Sequence, residues 1–402
     1  SPQVAPDGSR IAFVGSTFSK NFYNDSKMYI MDVDGSNLNC ITTSLDQTPS
    51  SAIWAINSSG VYFNVREFGQ SNVYHADLKG KVKKVTNGNH MLAMNDLVGN
   101  NAVASWSDPS NPTDIISFSI EKSNKIKRLT NVNKDIFYNV EFGEVEEITY
   151  KSVDGKKVQG WIVKPPQFNS NKKYPLVLRI HGGPHSMYHV GFNYNFQLHA
   201  AQDQVVLYTN PRGSTGYGYD FANAIQNNYP GNDYDDIMNG VDEVIARGYI
   251  DVNKMYVYGG SGGGVLTSWI VGKTNRFAAA SVNYPVTNWF SFVGTTDGAG
   301  WYYNFEKYPW EDPSEHLRRS PLMYVGNVKT PTMLMCGEDD LRTPISQTEE
   351  YYQALKMNKV PTVMIRFNKE YHGTSSKPSN FLRTHGYINA WFNKHSSRKE
   401  PK

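Results

Sequence analysis

Gly259-Gly260-Ser261-Gly262-Gly263 fits the pattern G-x-S-x-G, in which a serine tops a sharp turn from a strand into a helix. Met255-Tyr256-Val257-Tyr258 before it reads as a buried strand, and Val265, Leu266, Trp269 and Ile270 after it recur at helical spacing. Such a turn strains the backbone and brings neighbouring chains close, so it needs small residues, and five glycines surround Ser261. A glycine-rich loop that merely turns a corner is the alternative, and the flanking strand and helix argue against it. The hydroxyl is expected at the positive end of the helix, with the Gly262 amide free to face a developing oxyanion.

A serine hydroxyl is a weak nucleophile until a base takes its proton, so an acid and then a histidine are expected further down the chain. His372 lies in Glu370-Tyr371-His372-Gly373, after the apolar run Val363-Met364-Ile365-Arg366-Phe367. Acids lie in Cys336-Gly337-Glu338-Asp339-Asp340, after the buried-strand candidate Thr332-Met333-Leu334-Met335. Each follows a strand and is placed at the carboxyl edge of one sheet, where open α/β folds build their sites. Glu338, Asp339 and Asp340 are equivalent candidates on these grounds.

Three further stretches extend the pattern: His181-Gly182-Gly183-Pro184-His185 after the strand Leu176 to Ile180, Asn210-Pro211-Arg212-Gly213-Ser214-Thr215-Gly216-Tyr217-Gly218, and Asp340-x-Arg342-x-Pro344. With the elbow and His372-Gly373, in this order, residues 145–395 resemble the peptidase domain of the prolyl oligopeptidase family, nearest to its acylaminoacyl and dipeptidyl peptidases. The resemblance implies a Ser261, Asp340, His372 triad, since the family's aspartate stands two residues before the arginine. It also implies oxyanion amides from Gly183 and Gly262. His181 stands where some dipeptidyl peptidases carry an oxyanion tyrosine, which makes Gly183 the better donor. Val286, Trp289 and Phe292 match the wall of the family's primary specificity pocket, with ordinary core aromatics as the alternative. Arg342 matches a residue that binds a substrate carbonyl, or else pairs with a neighbouring acid.

The first third of the chain reads differently. Val4 to Val14 and Lys27 to Gly35 alternate apolar and polar residues around Asp-Gly turns. The pattern returns over Ile53 to Val85 and again from Ala102 to Leu129. Units of about 40 residues with four short strands are propeller blades, with a serial β-sandwich as the alternative. The expected fold is therefore an α/β hydrolase, doubly wound on a mostly parallel sheet, over residues 139–402, preceded by part of an all-β propeller over residues 1–138. About three blades fit where the family has about seven, so the chain reads as the carboxyl-terminal part of a longer polypeptide.

The six strands expected in the hydrolase are Tyr174 to Ile180, Gln204 to Thr209, Lys254 to Tyr258, Ala278 to Val282, Pro331 to Met335 and Val363 to Phe367. Helices are expected over Asp235 to Arg247 and Phe381 to His395, the latter beside the His372 loop.

Other signals lead nowhere. His181, His185 and His189 are four apart, but Gly182, Gly183 and Pro184 preclude a helix, so no metal is expected. Gly272-Lys273-Thr274 lacks the phosphate loop's first glycine, at Thr267, and Gly272 reads as a helix stop. The spacing of Gly213, Gly216 and Gly218 is too loose for a dinucleotide fingerprint, and no cofactor is expected. The formal charge of +3 is spread evenly outside the tail Arg398-Lys399-Glu400-Pro401-Lys402, which gives nucleic-acid binding no support. No apolar run reaches the ~20 residues of a membrane span. Cys40 and Cys336 read as free thiols, which favours a cytoplasmic compartment and leaves secretion or a periplasmic place open. The resulting expectation is a serine peptidase on short peptides, working through an acyl-enzyme and releasing acylated amino acids or dipeptides, with homo-oligomerisation open. A carboxylesterase using the same residues is the runner-up, and a non-catalytic binding module the third.

Overall fold

The computed structural model describes residues 2–396, less the side chains of residues 123 and 124. The basic tail at 398–402 lies outside the described residues. The chain divides into two compact units, one of Ser1–Glu141 with Met187–Tyr194 and Thr215–Ala222, the other of Phe142–Ser186, Asn195–Ser214 and Asn223–Lys402.

Three successive four-strand antiparallel meanders make up the first unit. They are β1 (Gln3–Val4), β2 (Arg10–Gly15), β3 (Lys27–Asp32) and β4 (Asn39–Cys40), then β5 (Pro49–Trp54), β6 (Gly60–Glu67), β7 (Gln70–Asp77) and β8 (Val82–Lys84), then β9 (Met91–Val98), β10 (Asn101–Asp108), β11 (Asn111–Ser119) and β12 (Lys122–Arg128). The second and third meet through a parallel pairing of Ser71 with Met91. The period-two pattern makes these strands because alternate side chains reach one face: Val61, Phe63 and Val65 of β6 are buried together with Tyr74 and Ala76 of β7. The third meander, expected from Ala102, begins one strand earlier. In β9 the opening run Met91-Leu92-Ala93-Met94 hides the alternation in which Leu92 and Met94 are buried and Ala93 is exposed.

An eight-stranded mixed sheet forms the second unit, in the order β13-β14-β16-β15-β17-β18-β19-β20. Six strands, β15 (Tyr174–Ile180), β16 (Val205–Asn210), β17 (Ile250–Gly260), β18 (Ala279–Asn283), β19 (Thr332–Gly337) and β20 (Thr362–Phe367), run parallel. Apart from the edge strand β20, residues 251–254 near the start of β17 and two positions in β15, these strands are continuously buried, as covering both faces of a parallel sheet requires. Two strands precede the six expected: β13 (Val145–Lys151) and β14 (Lys157–Val163) form an antiparallel hairpin on the β16 edge. In β13 only Ile148 and Tyr150 are buried, between Glu146, Glu147 and Lys151, so the apolar signal there is thin.

Helices cover both faces. Ile388, Trp391 and Phe392 of the helix Pro378–Lys394 pack on Tyr256, Tyr258, Met333 and Met335 of the sheet. The helix Gly262–Lys273 is buried from Gly262 to Gly272, which explains why it is apolar all round. Gly272 is not its stop. The helix ends at Lys273, and Gly272 sits where a Cβ would come within 3.0 Å of Tyr324 Cβ.

Candidate active site

Strand order reverses around β15: the chain runs from β15 outward to β16, then crosses back to β17 on the other side. The crevice between the carboxyl ends of β15 and β17 is therefore a topological switch point. Ile180 of β15 pairs with Gly259 of β17, so two residues further on Gly182 comes level with Ser261. A Cβ on Gly182 would stand 3.4 Å from Ser261 Cβ.

Ser261 adopts φ 56° and ψ −122°, a conformation costly for any residue with a side chain, as it turns from β17 into the helix Gly262–Lys273. The glycines around it are required by close approach. A Cβ on Gly259 would meet Gly263 O at 2.5 Å, and one on Gly264 would meet Asn283 O at 2.5 Å.

Three side chains from three loops meet here. His372 Nε2 lies 3.0 Å from Ser261 Oγ, and His372 Nδ1 lies 3.0 Å from Asp340 Oδ2 and 3.2 Å from Oδ1. Asp340 is buried, and its Oδ1 accepts from the backbone amides of Arg342 and Thr343, each at 2.9 Å. Asp339 is exposed and Glu338 pairs with Arg366, so neither faces the histidine. In this order the carboxylate orients Nδ1–H, and the bare Nε2 can take the serine proton.

The histidine is held from both sides. Tyr284, itself at φ 35°, packs its ring edge-on to His372 with centroids 5.2 Å apart. Two residues upstream, the buried Glu370 carboxylate accepts from Asn380 Nδ2 at 2.6 Å and from Ser376 Oγ, tying the His372 loop to the start of the helix Pro378–Lys394. Burial pushes the Glu370 pKa up, but hydrogen bonds from Asn380, Ser376 and the backbone outweigh it and hold the carboxyl below the usual glutamate value.

The loop 181–185 lies against the elbow. Gly183 has φ 114°, and a Cβ on Gly262 would fall 2.7 Å from Gly183 O and 3.0 Å from Gly183 N. The backbones of these two glycines are thus in contact range beside Ser261. His181 is buried, with Nε2 3.1 Å from Ser214 Oγ and Nδ1 2.7 Å from Gly182 O, and burial lowers its pKa to about 4. His185 Nδ1 meets Gly213 O at 2.8 Å. The segment Asn210 to Ser214 that carries these contacts is fixed by Arg212, which pairs with the fully buried Asp236 at 2.7 Å and with Asp154 at 2.9 Å. Among the described residues no group of three His, Cys, Asp or Glu stands where it could hold a metal ion.

Val286, Trp289 and Phe292 are fully buried. Trp289 packs against Phe292, Trp301, Phe305 and Tyr229, with ring centroids 5.4–5.9 Å apart. Trp301 is the half-buried member of this cluster. Arg342 pairs through Nε with Asp297, and both side chains are partly exposed. The contributions of Thr343, Tyr284 and Glu370 have no signal of their own in the sequence, although each stands within or beside a motif that does.

Residues 190–399 match the model of the prolyl oligopeptidase family. The chain belongs to the prolyl oligopeptidase family. It is 36% identical over 392 residues to an uncharacterized peptidase, YuxL, of Bacillus subtilis, covering 92% of this chain and 59% of that protein. With dipeptidyl-peptidase 5 of Porphyromonas gingivalis it shares 28% identity over 408 residues, covering 98% of this chain and 59% of the relative. A solved acylaminoacyl peptidase in complex with Z-Gly-Gly-Phe-chloromethyl ketone superposes with a TM-score of 0.88 at 27% identity, covering 98% of this chain and 63% of that one. The chain thus spans about three fifths of the length of these relatives. No helix among the described residues is long and apolar enough to cross a membrane.

Proposed function

We propose that the polypeptide is a serine peptidase acting on short peptides, built as an α/β hydrolase over residues 139–402 with residues 1–138 forming part of a β-propeller. The observation that carries the mechanism is the continuous hydrogen-bonded path from Asp340 through His372 to Ser261 at a strained strand-to-helix turn. Ser261 Oγ attacks the scissile carbonyl carbon as His372 Nε2 takes its proton. The imidazolium then gives that proton to the departing amine as the C–N bond breaks, leaving an acyl ester on Ser261. Water, deprotonated by the same nitrogen, hydrolyses the ester. Asp340 fixes the tautomer and stabilises the imidazolium. The amides of Gly183 and Gly262 are assigned to the oxyanion, where loss of one donor typically costs on the order of a hundred- to a thousandfold in turnover.

Val286, Trp289 and Phe292, with Trp301, are assigned to the wall of an apolar specificity pocket. A related acylaminoacyl peptidase takes a peptidyl ketone ending in Phe, in keeping with that assignment. Asp297 engages only Nε of Arg342, so its two Nη groups are available to a substrate carbonyl. Relatives named for acylaminoacyl and dipeptidyl release support cleavage near a peptide's amino terminus.

The test is a comparison of an acetyl-aminoacyl anilide, a free-amino dipeptidyl anilide and a short-chain nitrophenyl ester on the intact polypeptide. Cleavage of either anilide with a kcat/KM at least comparable to that of the ester supports a peptidase. Turnover of the ester alone would make the protein a carboxylesterase.

A further inference from the structure

The motif Asp340-x-Arg342-x-Pro344 assigns nothing to position 343, which Thr343 occupies. Its side chain is buried, and its Oγ1 lies 2.9 Å from Asp340 Oδ2, 3.0 Å from Tyr284 O and 3.4 Å from His372 Nδ1. We propose that Thr343 is a positioning residue of the triad, whose hydroxyl holds the Asp340 carboxylate and moderates its hold on His372. The proposal rests on the triad assigned above.

A hydroxyl has one proton to donate, and two acceptors stand within reach. The charged carboxylate is the stronger one, so Oγ1–H is directed to Oδ2, with the Tyr284 carbonyl as the neutral second choice. The histidine is not a competitor. Nδ1–H lies closer to the carboxylate, at 3.0 Å, and Oγ1 is at the outer edge of hydrogen-bond reach. Oδ1 is occupied by the amides of Arg342 and Thr343, leaving Oδ2 shared between Nδ1–H and the threonine hydroxyl. Thr343 therefore holds the plane of the carboxylate through two hydrogen bonds, its amide to Oδ1 and its hydroxyl to Oδ2, beside the Arg342 amide on Oδ1.

The hydroxyl also has an electrostatic consequence. Donation to Oδ2 draws charge from the oxygen that faces His372, so the carboxylate stabilises an imidazolium less than it would alone. The hydroxyl thus tempers the hold of the carboxylate on the imidazolium that forms when His372 takes the Ser261 proton. Other groups around this pair do not titrate across neutral pH. The Tyr284 phenol is pushed upward by burial, and the Cys336 thiol behind Asp340 is pushed up to about 12 by burial. Arg179, which bears on Tyr284, stays charged; Arg342 is paired with Asp297; and Glu370, two residues before His372, is held ionised.

The test is the pH profile of kcat/KM from about pH 5 to 9 for the intact polypeptide and its Thr343→Val and Thr343→Ser variants, with active sites counted by phosphonate titration. Valine keeps the shape and removes the hydroxyl, whereas serine keeps the hydroxyl. Thr343→Val should raise the midpoint of the acid limb by about half a pH unit and lower kcat about 3- to 10-fold per titrated site, as expected for losing one hydrogen bond to an ionised group. Thr343→Ser should restore both. A Val profile that superposes on the parent's, or a Ser variant shifted as far as Val, overturns the role of Thr343 while leaving the triad standing. A parent profile with no acid limb, in protein whose Ser261 resists the phosphonate, would remove the triad and this role together.

Discussion

Ser261→Gly should make the α/β unit more stable than Ser261→Ala does, although both abolish hydrolysis. Ser261 holds φ 56° and ψ −122°, a backbone conformation that costs a residue with a Cβ about 1–3 kcal/mol. Alanine retains the Cβ and therefore that cost, whereas glycine relieves it. Glycine also gains freedom in the unfolded chain, which offsets about 0.5–1 kcal/mol. Both variants lose the same hydrogen bond to His372 Nε2, so that term cancels between them. The net difference is about 1 kcal/mol in favour of glycine, or roughly 2–4 °C in Tm for a unit of this size. Differential scanning calorimetry of the two variants in the intact polypeptide measures it. A glycine variant that melts at or below the alanine variant would refute the claim that the elbow stores strain at Ser261.

Other outcomes follow from the same geometry. Asp340→Asn should cost on the order of 10³- to 10⁴-fold in kcat, because an amide can donate to Nδ1 and favour the wrong tautomer, while Asp339→Asn should stay within about twofold; equal effects would misplace the acid. Glu370 ionises more readily folded than unfolded, so its contribution is complete above about pH 4.5 and is lost as pH falls below that value. Glu370→Gln should accordingly destabilise by about 1–3 kcal/mol at neutral pH and flatten stability between about pH 5 and 3, and unfolding curves as steep in acid as the parent's would contradict it. Trp289→Ala empties a fully buried site and should cost about 3–5 kcal/mol of stability. It should also lower the preference for Phe over Ala before the scissile bond; an unchanged ratio would make Trp289 core alone.

What was legible in the sequence is what local chemistry imposes. The glycines of 259–264 signal the elbow because other groups pack where their side chains would be, among them backbone of Ile180 in β15 against Gly263, of Asn283 in β18 against Gly264 and of Gly183 against Gly262. The apolar runs of β15, β16, β18, β19 and the second half of β17 announce a sheet covered on both faces. Elements whose burial is one-sided and weak escaped, as in β13, where only two residues are buried and acids and a lysine flank them, and β9, where apolar residues occupy exposed positions. At the site, residues inside motifs could be named, but contacts could not. Thr343 and Asp340 are three residues apart and share a turn, whereas Tyr284 and His372 follow β18 and β20 and meet because those strands flank β19 in the sheet. The pocket candidates illustrate the same limit: the family resemblance marks Val286, Trp289 and Phe292, and only packing reveals that Trp301 is the cluster's half-buried member.

The most direct measurement is active-site labelling of the intact polypeptide with a fluorophosphonate, followed by mass spectrometry of the modified peptide. A Ser261 activated by His372 and Asp340 predicts one stoichiometric adduct on Ser261, lost in Ser261→Ala and slowed by orders of magnitude in His372→Ala. An adduct on another serine, or labelling of Ser261 at the parent's rate without His372, would contradict it.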